Sequence, residues 1–182
     1  MQTEKSLIII KPDAIQRNLV GEIINRFERK GLKIIGMKMM HLTDVLLEEH
    51  YAHVADKPFF PRIRKFMKSA PVIVMAIAGA QAVSAIRTIV GPTKSFEAAA
   101  GTIRGDLAMS MQSNVVHASD SVENGEAEIA RFFKDDEILN YEKLGEDVVY
   151  SDLFEYFFWM NWHSYPYMHI LYFDIYSSEI FL

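Results

Sequence analysis

Residues 71 to 78 read PVIVMAIA, eight consecutive residues without a polar side chain. An extended run that is apolar on both faces suits a central strand, so the rest of the chain must supply sheet neighbours and covering helices. The first neighbour is SLIII at 6 to 10, a short β-branched run that Lys11-Pro12 turns out of the sheet. Val20, Ile23, Ile24 and Phe27 then recur at helical spacing, and Gly31 stops the helix. LKIIGMKMMHL at 32 to 42 reads as a second strand. Thr43 is placed to cap a helix running to about His50, and Phe60, Ile63, Phe66 and Met67 predict another before Pro71. After the central strand, Val83, Ile86 and Val90 form the buried stripe of a helix closed by Gly91-Pro92. Residues 92 to 105 read as loop, and LAMSMQSNVVH at 107 to 117 as strand. Asp120 with Glu123 forms a capping box for a helix through Phe133.

The order is therefore β-α-β-(α,α)-β-α-loop-β-α, with no internal repeat. Two strand-helix-strand units, with helices able to cover one face of a hydrophobic sheet, predict an α+β fold. It is a ferredoxin-like split βαβ sandwich on an antiparallel four-stranded sheet. At 182 residues, one full-sized domain is expected.

A formal charge of −5 gives no general attraction to nucleic acid or an anionic membrane. Any phosphate site must come from a local cluster of Lys and Arg, and no dedicated nucleic-acid partner is expected. The absence of cysteine excludes disulfides, thiolate zinc sites and cysteine nucleophiles together. The start, MQTEKSLIIIKPD, has an apolar run too short for a signal-peptide core or a membrane span, so a cytoplasmic address and no transmembrane segment are expected.

The chemistry gathers at NVVHASDS, residues 114 to 121. A histidine ending an apolar strand is by itself more often structural than reactive. Here it keeps company with IIIKPDAIQRNLVGEIINRFERKGLKIIGMKM, HYAHVADKPFFP, GPT, GTIRGD and NVVHASDSVENGEAEI, in that order. Over about residues 3 to 150 these stretches resemble the nucleoside diphosphate kinase family, and the fold this implies is that family's version of the sandwich.

The resemblance implies a ping-pong enzyme that maintains nucleoside triphosphate pools. A nucleoside triphosphate, typically ATP, phosphorylates His117, and the phosphohistidine then phosphorylates a nucleoside diphosphate. Physical chemistry agrees: a neutral imidazole with a pKa of about 6.5 is a good nucleophile at neutral pH. Phosphoryl transfer also needs positioning and fixed positive charge. The resemblance supplies these as Lys11, Arg87 and Arg104 around the phosphates, Thr93 donating a hydroxyl to one of them, and Asn114 with Lys11 at the ribose 3′-hydroxyl. Phe59 is the platform for the base, whose π-face accepts purines and pyrimidines alike. Phe60 fits the helical stripe instead. Tyr51, Ser119 and Glu128 complete the shell, with Glu128 reaching back through Ser119 to orient the imidazole. Magnesium arrives on the nucleotide phosphates, Asp120 being placed to hold a metal-bound water. Assembly as a homo-oligomer, hexamer or tetramer, is implied too.

Two departures are local: Ala118 stands where the family commonly has Gly, and KSFEAAA lacks the family's usual prolines. The third is large. Residues 153 to 182, after a kinase domain of 1 to 152, hold more than half of the chain's aromatic residues and no Lys or Arg. This extension reads as an added interface element, a peripheral membrane anchor or non-native read-through, its poor patterning favouring the last. His163 and His169 within it read as incidental. The competing readings of the whole chain are a catalytically silent regulatory or nucleic-acid-binding module on the same fold, and a structural or membrane-associated protein whose tail matters most.

Overall fold

The structure, a computed structural model, describes residues 3–145 and 149–150. Strand β1 (Thr3–Ile10) is followed by helices α1 (Pro12–Gln16) and α2 (Val20–Arg29), strand β2 (Lys33–Met40), and helices α3 (Asp44–His50) and α4 (Phe60–Met67). Then come β3 (Val72–Ala80), α5 (Ala82–Val90), α6 (Ile103–Leu107), β4 (Val116–Ala118) and α7 (Val122–Phe132). The strands form one antiparallel sheet in the order β2-β3-β1-β4, so the all-apolar run occupies an interior position, as its composition predicts.

Successive side chains of a strand face opposite ways, and β1 and β3 are apolar in both registers. Ile8, Ile10, Met75 and Ile77 pack on one side with Ile23 and Phe27 of α2 and Ile86 and Val90 of α5. Leu7, Ile9, Val74 and Ala76 pack on the other with Leu47 of α3, Met67 of α4, and Ile129 and Phe132 of α7. Helices thus cover both faces of the sheet rather than one. A strand with two apolar faces leaves no face that water could solvate cheaply.

Several local expectations hold. Thr43 Oγ1 accepts the Leu46 N–H at 3.2 Å and caps α3, and Gly31 stands at φ 90° just past α2. Others are corrected. Residues 107 to 117 supply only the start of a three-residue strand, because β4 pairs with β1 solely over Val116–Ala118. The stretch 92–105 is not all loop: Ser95–Glu97 form a 3-10 turn, and α6 begins at Ile103 with Thr102 as its cap. Ser121, not Asp120, caps α7, its hydroxyl accepting from Asn124 N–H at 3.1 Å, while Asp120 Oδ1 accepts from Asn124 Nδ2 at 2.7 Å. Ala118 lies in extended β4 and not among the residues with positive φ, so its methyl group is tolerated.

Among the described residues, 3–141 form one compact unit, and 142–145 with 149–150 belong to another. In the latter, Val149 N–H donates to Gly145 O at 3.1 Å. The readings of residues 153–182, including His163 and His169, lie outside the described residues.

Candidate active site

The end of β1 passes the chain to Lys11, whose backbone N–H donates to Val115 O at 2.9 Å. Lys11 Nζ donates to Asn114 Oδ1, and Asn114 Nδ2 donates to Met111 O at 2.9 Å and Thr93 O at 3.1 Å. One amide group therefore ties β1, the segment after α5 and the approach to β4 together. Burial, then the charge of Arg104, brings the Lys11 ammonium down to about 8, with Asp13 opposing the shift.

Arg104, on α6, is buried. Its Nη1 donates to Gly91 O at 2.9 Å and its Nη2 to Val116 O at 2.8 Å. Burial, then the neighbouring charge of Arg87, lowers its guanidinium to about 10. Arg26 fixes the same helix from outside, with Nη1 2.6 Å from Asp106 Oδ2 and 3.1 Å from Gly101 O.

His117 sits in β4 opposite Ile9 of β1, with 23% of its side chain exposed. Its Nε2 lies 3.1 Å from both oxygens of Glu128, one helix further along the chain. Ser119 Oγ donates to Glu128 Oε2 at 2.6 Å and accepts the Leu7 N–H at 3.0 Å, which anchors that carboxylate to the sheet. Burial alone would raise the Glu128 carboxyl, but the hydrogen bond and charge of His117, with Ser119 and His50, hold it below the usual range. An ionised carboxylate only accepts, so the proton of His117 resides on Nε2 and the lone pair on Nδ1.

These groups line one cleft of about 760 Å³. Lys11, Arg87, Arg104, Thr93, Asn114 and His117 border it, as do Tyr51, Phe59, Asp120 and Glu128; of the residues expected from the sequence, only Ser119 stands behind the wall. Phe59 is 46% exposed and Phe60 2%, so the stripe of α4 takes Phe60 into the core and leaves Phe59 to the cleft. Burial, then the charge of Glu128, raises the Tyr51 phenol to about 12, which keeps it a neutral donor. Asp120 has one oxygen engaged by Asn124 and is exposed at the rim. An isolated rim carboxylate fits a metal-bound water better than a direct cage.

Two residues at or beside the site have no role assigned from the sequence. His50 is buried, and its ring meets those of His117 and Tyr51 edge-on at 4.8 and 4.9 Å between centroids. Its signal was local: three residues after Leu47, it falls on the buried stripe of α3. Asp13, at the start of α1, accepts the Val115 N–H at 3.1 Å. No sequence pattern announces a contact across about a hundred residues.

The chain is similar to known proteins over most of its length. The nucleoside diphosphate kinase family model matches residues 4–138. A nucleoside diphosphate kinase of Parabacteroides distasonis is 57% identical over 139 residues, 76% of this chain and 91% of the relative. One from Archaeoglobus fulgidus is 49% identical over 149 residues, 82% of this chain and 99% of the relative. Among solved structures, a halophilic nucleoside diphosphate kinase from Halobacterium salinarum in complex with CDP superposes with a TM-score of 0.79 at 41% identity. That match covers 82% of this chain and 99% of the other.

A ferredoxin-like sandwich carrying an imidazole among fixed cations defines the class, a nucleotide phosphotransferase. Within it, the chain belongs to the nucleoside diphosphate kinase family. It transfers the terminal phosphate of a nucleoside triphosphate to a nucleoside diphosphate in two half-reactions through a phosphohistidine, and it requires a divalent cation.

Proposed function

We propose that His117 is the phosphoryl acceptor of this enzyme. The observation that carries the assignment is the bond from its Nε2 to Glu128, which leaves Nδ1 as the nitrogen with a free lone pair on the wall of a cationic cleft. In the first half-reaction the Nδ1 pair attacks the γ-phosphorus. The bond to the bridging oxygen breaks, and its electrons leave on the β-phosphate of the departing diphosphate. The ring becomes cationic as the N–P bond forms, and Glu128 stabilises that charge through Nε2–H. A second nucleoside diphosphate then attacks the phosphohistidine by the reverse path.

Lys11, Arg87 and Arg104 neutralise the phosphate oxygens, with Thr93 donating a hydroxyl beside them. Lys11 and Asn114 hold the ribose 3′-hydroxyl, and Phe59 is the platform for the base, with Tyr51 beside Glu128 in the shell; an aromatic face reads no base edge, so nucleotide choice is broad. Ser119 acts through Glu128. Magnesium fits as the divalent cation: carried on the nucleotide phosphates, it would be held by Asp120 through water and would supply charge to offset that developing on the phosphate oxygens. The chain works as a homo-oligomer, hexamer or tetramer, which the exposed Met37 and Met39 on the sheet-edge strand β2 favour. Residues 1–152 constitute the kinase domain and 153–182 an extension of it, in keeping with the 149 residues shared with the archaeal relative. No described helix is long and apolar enough to cross a membrane, and a cytoplasmic location suits a cysteine-free nucleotide enzyme.

The test mixes the protein with ATP and GDP and follows GTP, then isolates an acid-labile, base-stable phosphoprotein after ATP alone. His117→Ala should abolish both signals. GTP formation that survived the substitution would overturn the assignment.

A further inference from the structure

The mechanism above gives His50 no task, yet its position is specific. The ring closes α3 with its side chain only 2% exposed, and its Nδ1 has no hydrogen-bond partner. That nitrogen lies 3.8 Å from Glu128 Oε1, and the same carboxylate lies 3.1 Å from His117 Nε2. One ligand atom from each of His50, His117 and Glu128 falls within 4.8 Å of the other two. Two imidazoles and a carboxylate are the donors that zinc-type ions favour. At metal–ligand lengths of about 2.0–2.1 Å, a tetrahedral ion places neighbouring donors roughly 3.3 Å apart. Two of the spacings are near that value already. Burial, then the charge of His117, holds the His50 imidazole down to about 3, so at neutral pH its lone pair is not spent on a proton.

We propose that His50, His117 and Glu128 bind a divalent transition-metal ion of the zinc type, at a place distinct from the cation carried by the nucleotide. Magnesium prefers oxygen donors and keeps its water, so it does not compete for two nitrogens. His117 and Glu128 border the cleft, which leaves the fourth position to solvent or a phosphate oxygen. Binding draws the Nε2 lone pair of His117 to the metal and moves the ring proton to Nδ1. The nitrogen that accepts phosphorus then has no free pair, a consequence that rests on the assignment of His117 as acceptor. Lys11, Arg87 and Arg104 share the cleft, and Arg131 stands 3.2 Å from Glu49 beside it. Their charge opposes the ion and weakens its binding.

The experiment titrates Zn2+ into the metal-free full chain by calorimetry, without nucleotide and with millimolar magnesium present. Co2+ absorption serves as a second readout of nitrogen ligation. One equivalent should bind, and His50→Gln should weaken it at least tenfold. Should His50→Gln fail to fold, zinc-dependent shifts of the His50 and His117 ring resonances in the unaltered protein decide the matter. Equal affinity in the protein and in His50→Gln would assign the metal to other histidines and overturn the proposal, as would unshifted rings or displacement by magnesium. Zinc that binds through His50 while ATP still labels the enzyme at full rate would uphold the site and remove His117 as the acceptor.

Discussion

Asp13 Oδ2 accepts the backbone N–H of Val115 at 3.1 Å, and Val115 stands at φ 61°, a conformation that β-branched residues rarely adopt. The same residue's carbonyl accepts the Lys11 N–H. Held from both ends, Val115 fixes Asn114 on one side and leads directly into the strand of His117 on the other. The strain is local, and a buried carboxylate on α1 sustains it.

Asp13→Ala removes the acceptor of a buried N–H and should cost about 2 kcal/mol, read as a shift in the denaturant midpoint. Asp13→Asn retains a carbonyl acceptor and should lose less than about 1 kcal/mol. Equal losses in the two variants would show that volume, not the bond to Val115, is what matters.

Gly125→Ala sets two effects against each other. In a helix interior Ala is favoured over Gly by about 1 kcal/mol. A methyl at 125, however, would lie 2.3 Å from Lys5 O, a backbone atom that the pairing of Lys5 with Ala78 of β3 holds in place. The contact wins, and a net loss of about 2 kcal/mol is expected, with a lower kcat because α7 carries Glu128 away from His117. Gly21→Ala, which meets nothing within 4 Å, should instead stabilise by about 0.5 kcal/mol.

The buried imidazole of His50 makes the fold acid-sensitive. Its folded pKa of about 3 lies below the unfolded value of about 6.5, so the unfolded chain binds more protons between them. Stability is fully present above pH 6.5 and falls as pH drops toward 3, by on the order of 3 kcal/mol at pH 4. Urea midpoints measured from pH 7 to 4 should fall less steeply in His50→Gln than in the unaltered protein.

Lys11 predicts an alkaline limit on catalysis. Its ammonium, lowered to about 8, loses its proton as pH rises past that value, and the cleft loses a positive charge that nucleotide binding needs. kcat/KM should decline above pH 8, and Lys11→Arg, whose guanidinium stays charged, should lose activity overall yet keep a flat profile there. An unchanged alkaline limb in that variant would assign the limit to another group.

Ser119→Ala strips one hydrogen bond from Glu128 and one from the Leu7 N–H. kcat should fall about tenfold, corresponding to ~1.4 kcal/mol, while KM changes little, because the serine acts on the imidazole's orientation and not on the nucleotide.

Much of this was legible before any coordinates. Strands and helices follow from runs such as PVIVMAIA and the Val20–Phe27 stripe, since periodicity is a local property that burial of one face requires. The residues of the cleft were legible for a different reason: they sit in compact motifs, IIIKPD, GPT, GTIRGD and NVVHASDS, whose resemblance to one family named them together. Phe59 was separable from Phe60 because only one of them fits the helical period. The errors came where a local signal met a non-local constraint. Apolar character over 107 to 117 suggested a long strand, but β4 extends only as far as β1 offers a partner.

What the sequence determined by itself was the order of elements, the sheet's apolar interior and the family of motifs, all of which depend on neighbours along the chain. Tertiary structure alone decided that helices close over both sheet faces, that His50 is driven against His117, and that Asp13 holds Val115 in a left-handed turn. Each of those depends on atoms from distant segments arriving within hydrogen-bond or van der Waals reach. Such contacts have directions and distances that the linear pattern does not carry.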